Sequence, residues 1–186
     1  MDYSQPIDIY CERLSPEFWA EPINAITNLS FIVAAIWAWQ RAEKKGSCDP
    51  SVSLLIGLTF LVGVGSFVFH TVATVWAAMV DVLPIWIFVL TYQYIALKQL
   101  FRLPRYKVGV IIVGYVVMSV IVGNLLSMLP ETIDESLRAS LQYLPALIAL
   151  ALLAFFLGLA RHPSWFSAMM ALVVLCFSLT FRSVDM

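Results

Sequence analysis

Charge is scarce in this chain. Of its 186 residues, 12% are Asp, Glu, Lys or Arg and 61% are hydrophobic. Soluble domains are usually about a quarter charged, so a water-soluble globule of this size is excluded and a polytopic membrane protein is implied. The formal net charge is −1. With no basic tract and no aromatic platform, nothing provides an electrostatic footprint for nucleic acid. The N-terminus carries Asp2 and lacks a basic stretch leading into an apolar core, so no cleavable signal peptide is expected. Internal repeats and low-complexity linkers are absent as well, which leaves one transmembrane domain over residues 1–186.

Cysteine and histidine are few. Cys11, Cys48 and Cys176 lie far apart. The topology below puts them outside, inside and within the bilayer, so no disulfide is expected. The two histidines are His70 and His162. A metal site built on imidazole alone is therefore not available.

What the chain does have is long apolar runs. A spanning helix needs about 20 mainly apolar residues, and six segments qualify: 22–41, 53–73, 76–99, 107–129, 137–160 and 165–181. The fold class expected is all-α, a transmembrane helical bundle with antiparallel neighbours joined by short connections. Arg41, Lys44, Lys45, Lys98, Arg102, Arg105, Lys107 and Arg161 fall on one side, against Arg13, Arg138 and Arg182 on the other. Basic residues mark the cytoplasmic face, so the N-terminus is expected outside the cytoplasm. Trp19 and Trp76 at the outer edge, and Trp39 and Trp165 at the inner one, suit the headgroup levels that tryptophan prefers. The absence of a large ectodomain points to a bacterial inner membrane.

Against this background Ser66-Phe-Val-Phe-His70 and Asp81 stand out. Ionisable groups inside a membrane are costly and are functional candidates by default. Ser66 and His70 share a helix face at i, i+4. His70 and Asp81 sit at matching depths on either side of a connection near Val75, about 8 Å below the outer helix ends at 1.5 Å per residue. Pro84, one turn beyond Asp81, loosens the backbone there. Histidine can also simply hydrogen-bond across a membrane bundle; the matched depth of Asp81 and the neighbouring serine favour a site.

The acidic tail, residues 1–21, lies on the same side. Asp8, Glu12 and Glu21, with Glu17 between, gather carboxylates there. Glu21-Pro22 reads as a helix start, an acid at the positive end of the dipole and proline in the first turn. Asn24 and Asn28 continue a polar stripe. Two readings stay open: a hard-cation site such as calcium, which takes oxygen ligands, or a solvated tail with one helix cap. At the far end, Arg182 either pairs with Asp185 or the tail's acids, or snorkels to water. His162, in a cytoplasmic connection, reads as an ordinary loop residue.

At these residues the sequence resembles the alkaline ceramidase family, membrane amidases within a wider group of seven-helix hydrolases. The resemblance is carried by Asp8-Ile-Tyr-Cys-Glu12 through Ala20-Glu-Pro-Ile-Asn24 to Thr27-Asn-Leu-Ser30, by Gly65-Ser-Phe-Val-Phe-His70, and by Asp81-Val-Leu-Pro84. Phe181-Arg-Ser-Val-Asp185 is similar to the end of that family's sixth helix. The resemblance implies a zinc-dependent hydrolase of ceramide or a related lipid amide. It implies that His70 is one of three zinc histidines, that Asp81 accepts a proton from zinc-bound water and that Ser66 assists. It further implies a calcium site using Asp8, Glu12 and Glu21, with Asn24, Asn28, Arg182 and Asp185 in support. The family's other zinc ligands, a His-x-x-x-His pair on a seventh helix, have no counterpart in these 186 residues. The expectation is a chain that natively continues past Met186 and is inactive without that helix. Two other functions remain to be weighed: a non-catalytic, lipid-binding or receptor-like bundle that keeps the cavity, and a small transporter. The transporter fits least, because the polar residues gather on one side instead of lining a path across the midplane. Membrane lipids are the expected partners.

Overall fold

A computed structural model describes residues 2–47, 49–129 and 140–182, with the backbone alone at Arg182. Seven helices are seen among these residues: α1 Pro22–Thr27, α2 Leu29–Lys44, α3 Pro50–Val72, α4 Val75–Gln99, α5 Arg105–Ser127, α6 Leu144–Leu159 and α7 Trp165–Arg182. Apart from an isolated bridge between Pro6 and Thr74 there is no β structure among the described residues. The protein is all-α. Four stretches are long and apolar enough to cross a membrane: Pro22–Lys44 (α1 continued by α2), Pro50–Val72, Val75–Gln99 and Arg105–Ser127. Helices α6 and α7 are shorter apolar helices. The expected start of a helix at Leu137 lies outside the described residues, as does Cys48; Cys11 and Cys176 are unbridged.

The chain forms two compact units, Met1–Val108 and Gly109–Met186. In the first, α3 is central and packs on α1, α2 and α4. Glycine makes this possible, because small residues let helix backbones approach closely in membranes. A Cβ on Gly63 would stand 3.2 Å from the Ile32 backbone nitrogen of α2. A Cβ on Gly65 would stand 3.2 Å from the Asp81 Cα of α4 and closer still to the Val80 carbonyl oxygen. Pro84 lies four residues after Val80 and has no N–H, so that carbonyl lacks its intrahelical donor. The position facing Gly65 is therefore the one where α4 is least committed to its own ladder.

Asp49 starts α3 by accepting from the Ser51 and Val52 amides, with Pro50 in the first turn. Ala73 stops it in a left-handed conformation, φ 45° and ψ 57°, and Thr74 in extended geometry leads into α4. The reversal is tight, so α3 and α4 run antiparallel. The N-terminal tail straps this reversal. Ile7 N–H donates to Ala73 O, Val75 N–H to Gln5 O and Trp76 N–H to Tyr3 O. In the second unit, α6 and α7 pack on each other, and Gly158 leaves room for the Trp165 indole.

Candidate active site

Helix α3 runs unbroken through both Ser66 and His70, so the two share the face that their spacing predicts. Both are buried. Ser66 Oγ donates to the Asp81 carboxylate of α4. Gly65 beside Ser66 and Val80 beside Asp81 are the closest-approach pair just described, so the missing side chain at Gly65 is what lets this hydrogen bond close.

His70 takes its partner from elsewhere. Its Nδ1 lies 2.5 Å from Glu21 Oε2, across 49 positions of sequence. Arg13 Nε donates to the other Glu21 oxygen. Burial works against a charge on Glu21, and the hydrogen bonds and attraction from His70 and Arg13 outweigh it, so its carboxyl sits below the ordinary value. An ionised Glu21 accepts only, so His70 Nδ1 carries a proton and donates; in the neutral form of the ring Nε2 is the nitrogen left with a lone pair. The Tyr10 ring covers the imidazole at 4.9 Å between centroids, and Phe69 flanks it. Trp19 meets Phe67 edge-on nearby. The tail thus forms a roof over the end of α3.

Glu21 does stand at the N-cap position, just ahead of Pro22, but its carboxylate does not cap the helix. Glu12 does that from the tail, accepting from Ile23 N–H at 2.6 Å and Asn24 N–H at 3.0 Å. Asn28 Nδ2 donates to Asn24 O and marks the break between α1 and α2. Of the three carboxylates named for calcium, Glu12 thus serves a helix end and Glu21 an arginine and a histidine, while Asp8 is exposed. Arg182 ends α7 in the second unit, and Asp185 lies outside the described residues. His162 Nδ1 accepts from Ser164 N–H in the turn before α7.

Sequence reasoning passed over Arg13. The available signal was its isolation, as the one basic residue among the first 21.

Zinc fits this arrangement at one position. A metal-ligating histidine almost always gives its other ring N–H to a carboxylate or carbonyl, and Glu21 does this for His70. Among the described residues no group of three His, Cys, Asp or Glu is placed to hold a metal. The His70 ring is thus held as a metal-ligating histidine would be, with no full ligand set beside it among the described residues.

Neither the curated proteins nor the solved structures yield a match to this chain. A family model does: the model of the Ceramidase family matches residues 9–184, from the tail that roofs His70 to the last described turn of α7 and beyond, and the chain belongs to that family.

Proposed function

We propose that the protein is a zinc-dependent hydrolase of ceramide or a related lipid amide, set in a bacterial inner membrane with its N-terminus in the periplasm. The observation that carries this reading is the pairing of Ser66 with Asp81 one helical turn from a histidine whose ring is fixed by Glu21. Structural histidines need one satisfied nitrogen. Here Nδ1 is held by Glu21, and the ring lies one helical turn from the Ser66–Asp81 pair.

Amide hydrolysis needs a nucleophile, a proton acceptor and a charge-stabilising group. A zinc ion bound at His70 Nε2 would supply water acidified to near neutrality. Asp81 is the proton acceptor in this proposal, and Ser66 holds its carboxylate in one orientation. Glu21 fixes the imidazole and Tyr10 screens it from water. Catalytic zinc takes about three protein ligands, so the others are proposed to lie outside the described residues. The apolar helices around the site suit a substrate that reaches it from lipid.

The test is cleavage of a ceramide by the protein at its full natural length, purified in detergent, since the 186 residues alone are expected to be inactive. Expected are loss of activity with a chelator, recovery with zinc, and no activity in His70→Ala. Cleavage undiminished in His70→Ala would overturn the site, and cleavage indifferent to chelator would overturn the metal.

A further inference from the structure

Carboxylates gathered at one end of a membrane bundle require a positive partner, and the resemblance to ceramidases implies calcium. The carboxylate oxygens of Glu12 and Glu21 are already engaged. Both oxygens of Glu12 accept from the amides that open α1. One oxygen of Glu21 meets His70 and the other meets Arg13. Asp8 is turned to solvent.

The positive charge at this junction belongs to Arg13, which is 8% exposed against 2% for Glu21. Its guanidinium has three partners. Nε donates to Glu21 Oε1, Nη1 to Ser15 O at 3.3 Å and Nη2 to His70 O at 3.1 Å. A planar fork of five donors that never loses its charge is suited to such a set of oxygens, whereas calcium takes six to eight. The His70 carbonyl sits in the last turn of α3, where carbonyls lack intrahelical donors and the dipole is negative. Glu12, the preceding residue, sits at the opposite kind of end, the positive N-terminus of α1. Consecutive residues of opposite charge thus close two helix ends of opposite polarity.

We propose that Arg13 is the built-in cation of this junction, its guanidinium taking the place of a bound divalent metal, so that the tail closes over α3 without calcium. The inference stands on the junction's geometry and holds whether or not the site cleaves amides.

The experiment follows the melting temperature of the purified protein in detergent, with calcium and with EGTA. It also follows cleavage of the tail by a glutamate-specific protease, which has Glu12 and Glu17 as sites. In the wild type, neither calcium nor EGTA is expected to move either readout. Arg13→Met keeps the stem and removes the charge; it is expected to melt about 5–15 °C lower, as for a broken buried ion pair, and to be cut at least about tenfold faster in the tail, since cleavage tracks the open population. A rise in wild-type melting temperature with calcium, or a fall with EGTA, would overturn the proposal. So would wild-type behaviour of Arg13→Met. Should Arg13→Met not accumulate in folded form, Arg13→Lys carries the test. It keeps the charge and loses the fork, and is expected to melt below the wild type with no response to calcium; a calcium response there would overturn the proposal too.

Discussion

Gly65 of α3 lies against the Val80 carbonyl of α4, and a Cβ built on it would sit 3.1 Å from the Val80 carbonyl carbon and nearer still to its oxygen. Backbone atoms cannot step aside as a flexible side chain can. Gly65→Ala is therefore expected to push the two helices apart, at a cost of about 1–3 kcal/mol typical of overpacking. The same change at Gly57, where nothing lies within 4 Å, is expected to be neutral or to stabilise by about 0.5–1 kcal/mol, the helix preference of alanine over glycine. Thermal melts of the two variants, side by side in one detergent, check this. Equal melting temperatures would remove the close approach from the account.

Because Gly65 adjoins Ser66, that displacement bears on the hydrogen bond from Ser66 to Asp81. Asp81→Asn keeps an oxygen to accept from Ser66 and loses the capacity to take a proton. Its ceramide turnover is expected to fall by about 10²–10⁴-fold, the usual contribution of a general base, with little change in melting temperature. Ser66→Ala removes one bond to a charged acceptor, and the expected fall is about 10- to 100-fold. Wild-type turnover in Asp81→Asn would end its role as proton acceptor.

Much of this architecture is legible in the sequence, because a bilayer enforces it. Spanning segments must be long and apolar, and α3 and α4 follow from their composition. Ser66 and His70 share a face through the helical repeat alone. Pro22 marks the first helix start. The partner of His70 is another matter. Glu21 is 49 positions away, and Glu12, Glu17 and Glu21 look alike as tail carboxylates. What separates them is which one the tail's path along Ala73–Thr74–Val75 delivers to the end of α3, and that path is set by backbone pairing that has no side-chain signature. Arg13 was hidden for the same reason: its partners include two backbone carbonyls, which every sequence has. The roles of Gly63 and Gly65 depend on neighbours from other helices and cannot be told from those of Gly57 by reading α3 by itself.

Glu21 gives the fold a pH dependence whose sign is fixed. Its folded carboxyl lies below the ordinary value, with burial opposing the charge and His70 and Arg13 outweighing it. Such a group stabilises the fold at pH above its unfolded value, and that contribution disappears as pH falls through the folded value. The wild type is expected to lose melting temperature below about pH 4.3, the ordinary glutamate value. Glu21→Gln is expected to start lower at neutral pH and to show a shallower decline through that window. Parallel profiles for the two proteins would mean that Glu21 is not the group that titrates.

Ala73 ends α3 with φ 45° and ψ 57°, a conformation that costs a residue with a Cβ roughly 1–2 kcal/mol. Glycine adopts it freely but gives up more backbone entropy on folding. The residue is buried beneath the strap, and its two polar backbone groups are in use: N–H donates to Phe69 O and the carbonyl accepts from Ile7 N–H. Ala73→Gly keeps both bonds and removes a single methyl group. Relief of the strain is expected to exceed the entropy term, so the variant should be as stable as the wild type or more so, by up to about 1 kcal/mol. Ala73→Val sets the opposite case, since a β-branched side chain is poorly tolerated at positive φ; it should free the strap as well as destabilise α3. Melting temperatures rank the three proteins, and tail proteolysis reports the strap separately. A glycine variant that melts well below the wild type would show that the Ala73 methyl contributes more through packing than its backbone conformation costs.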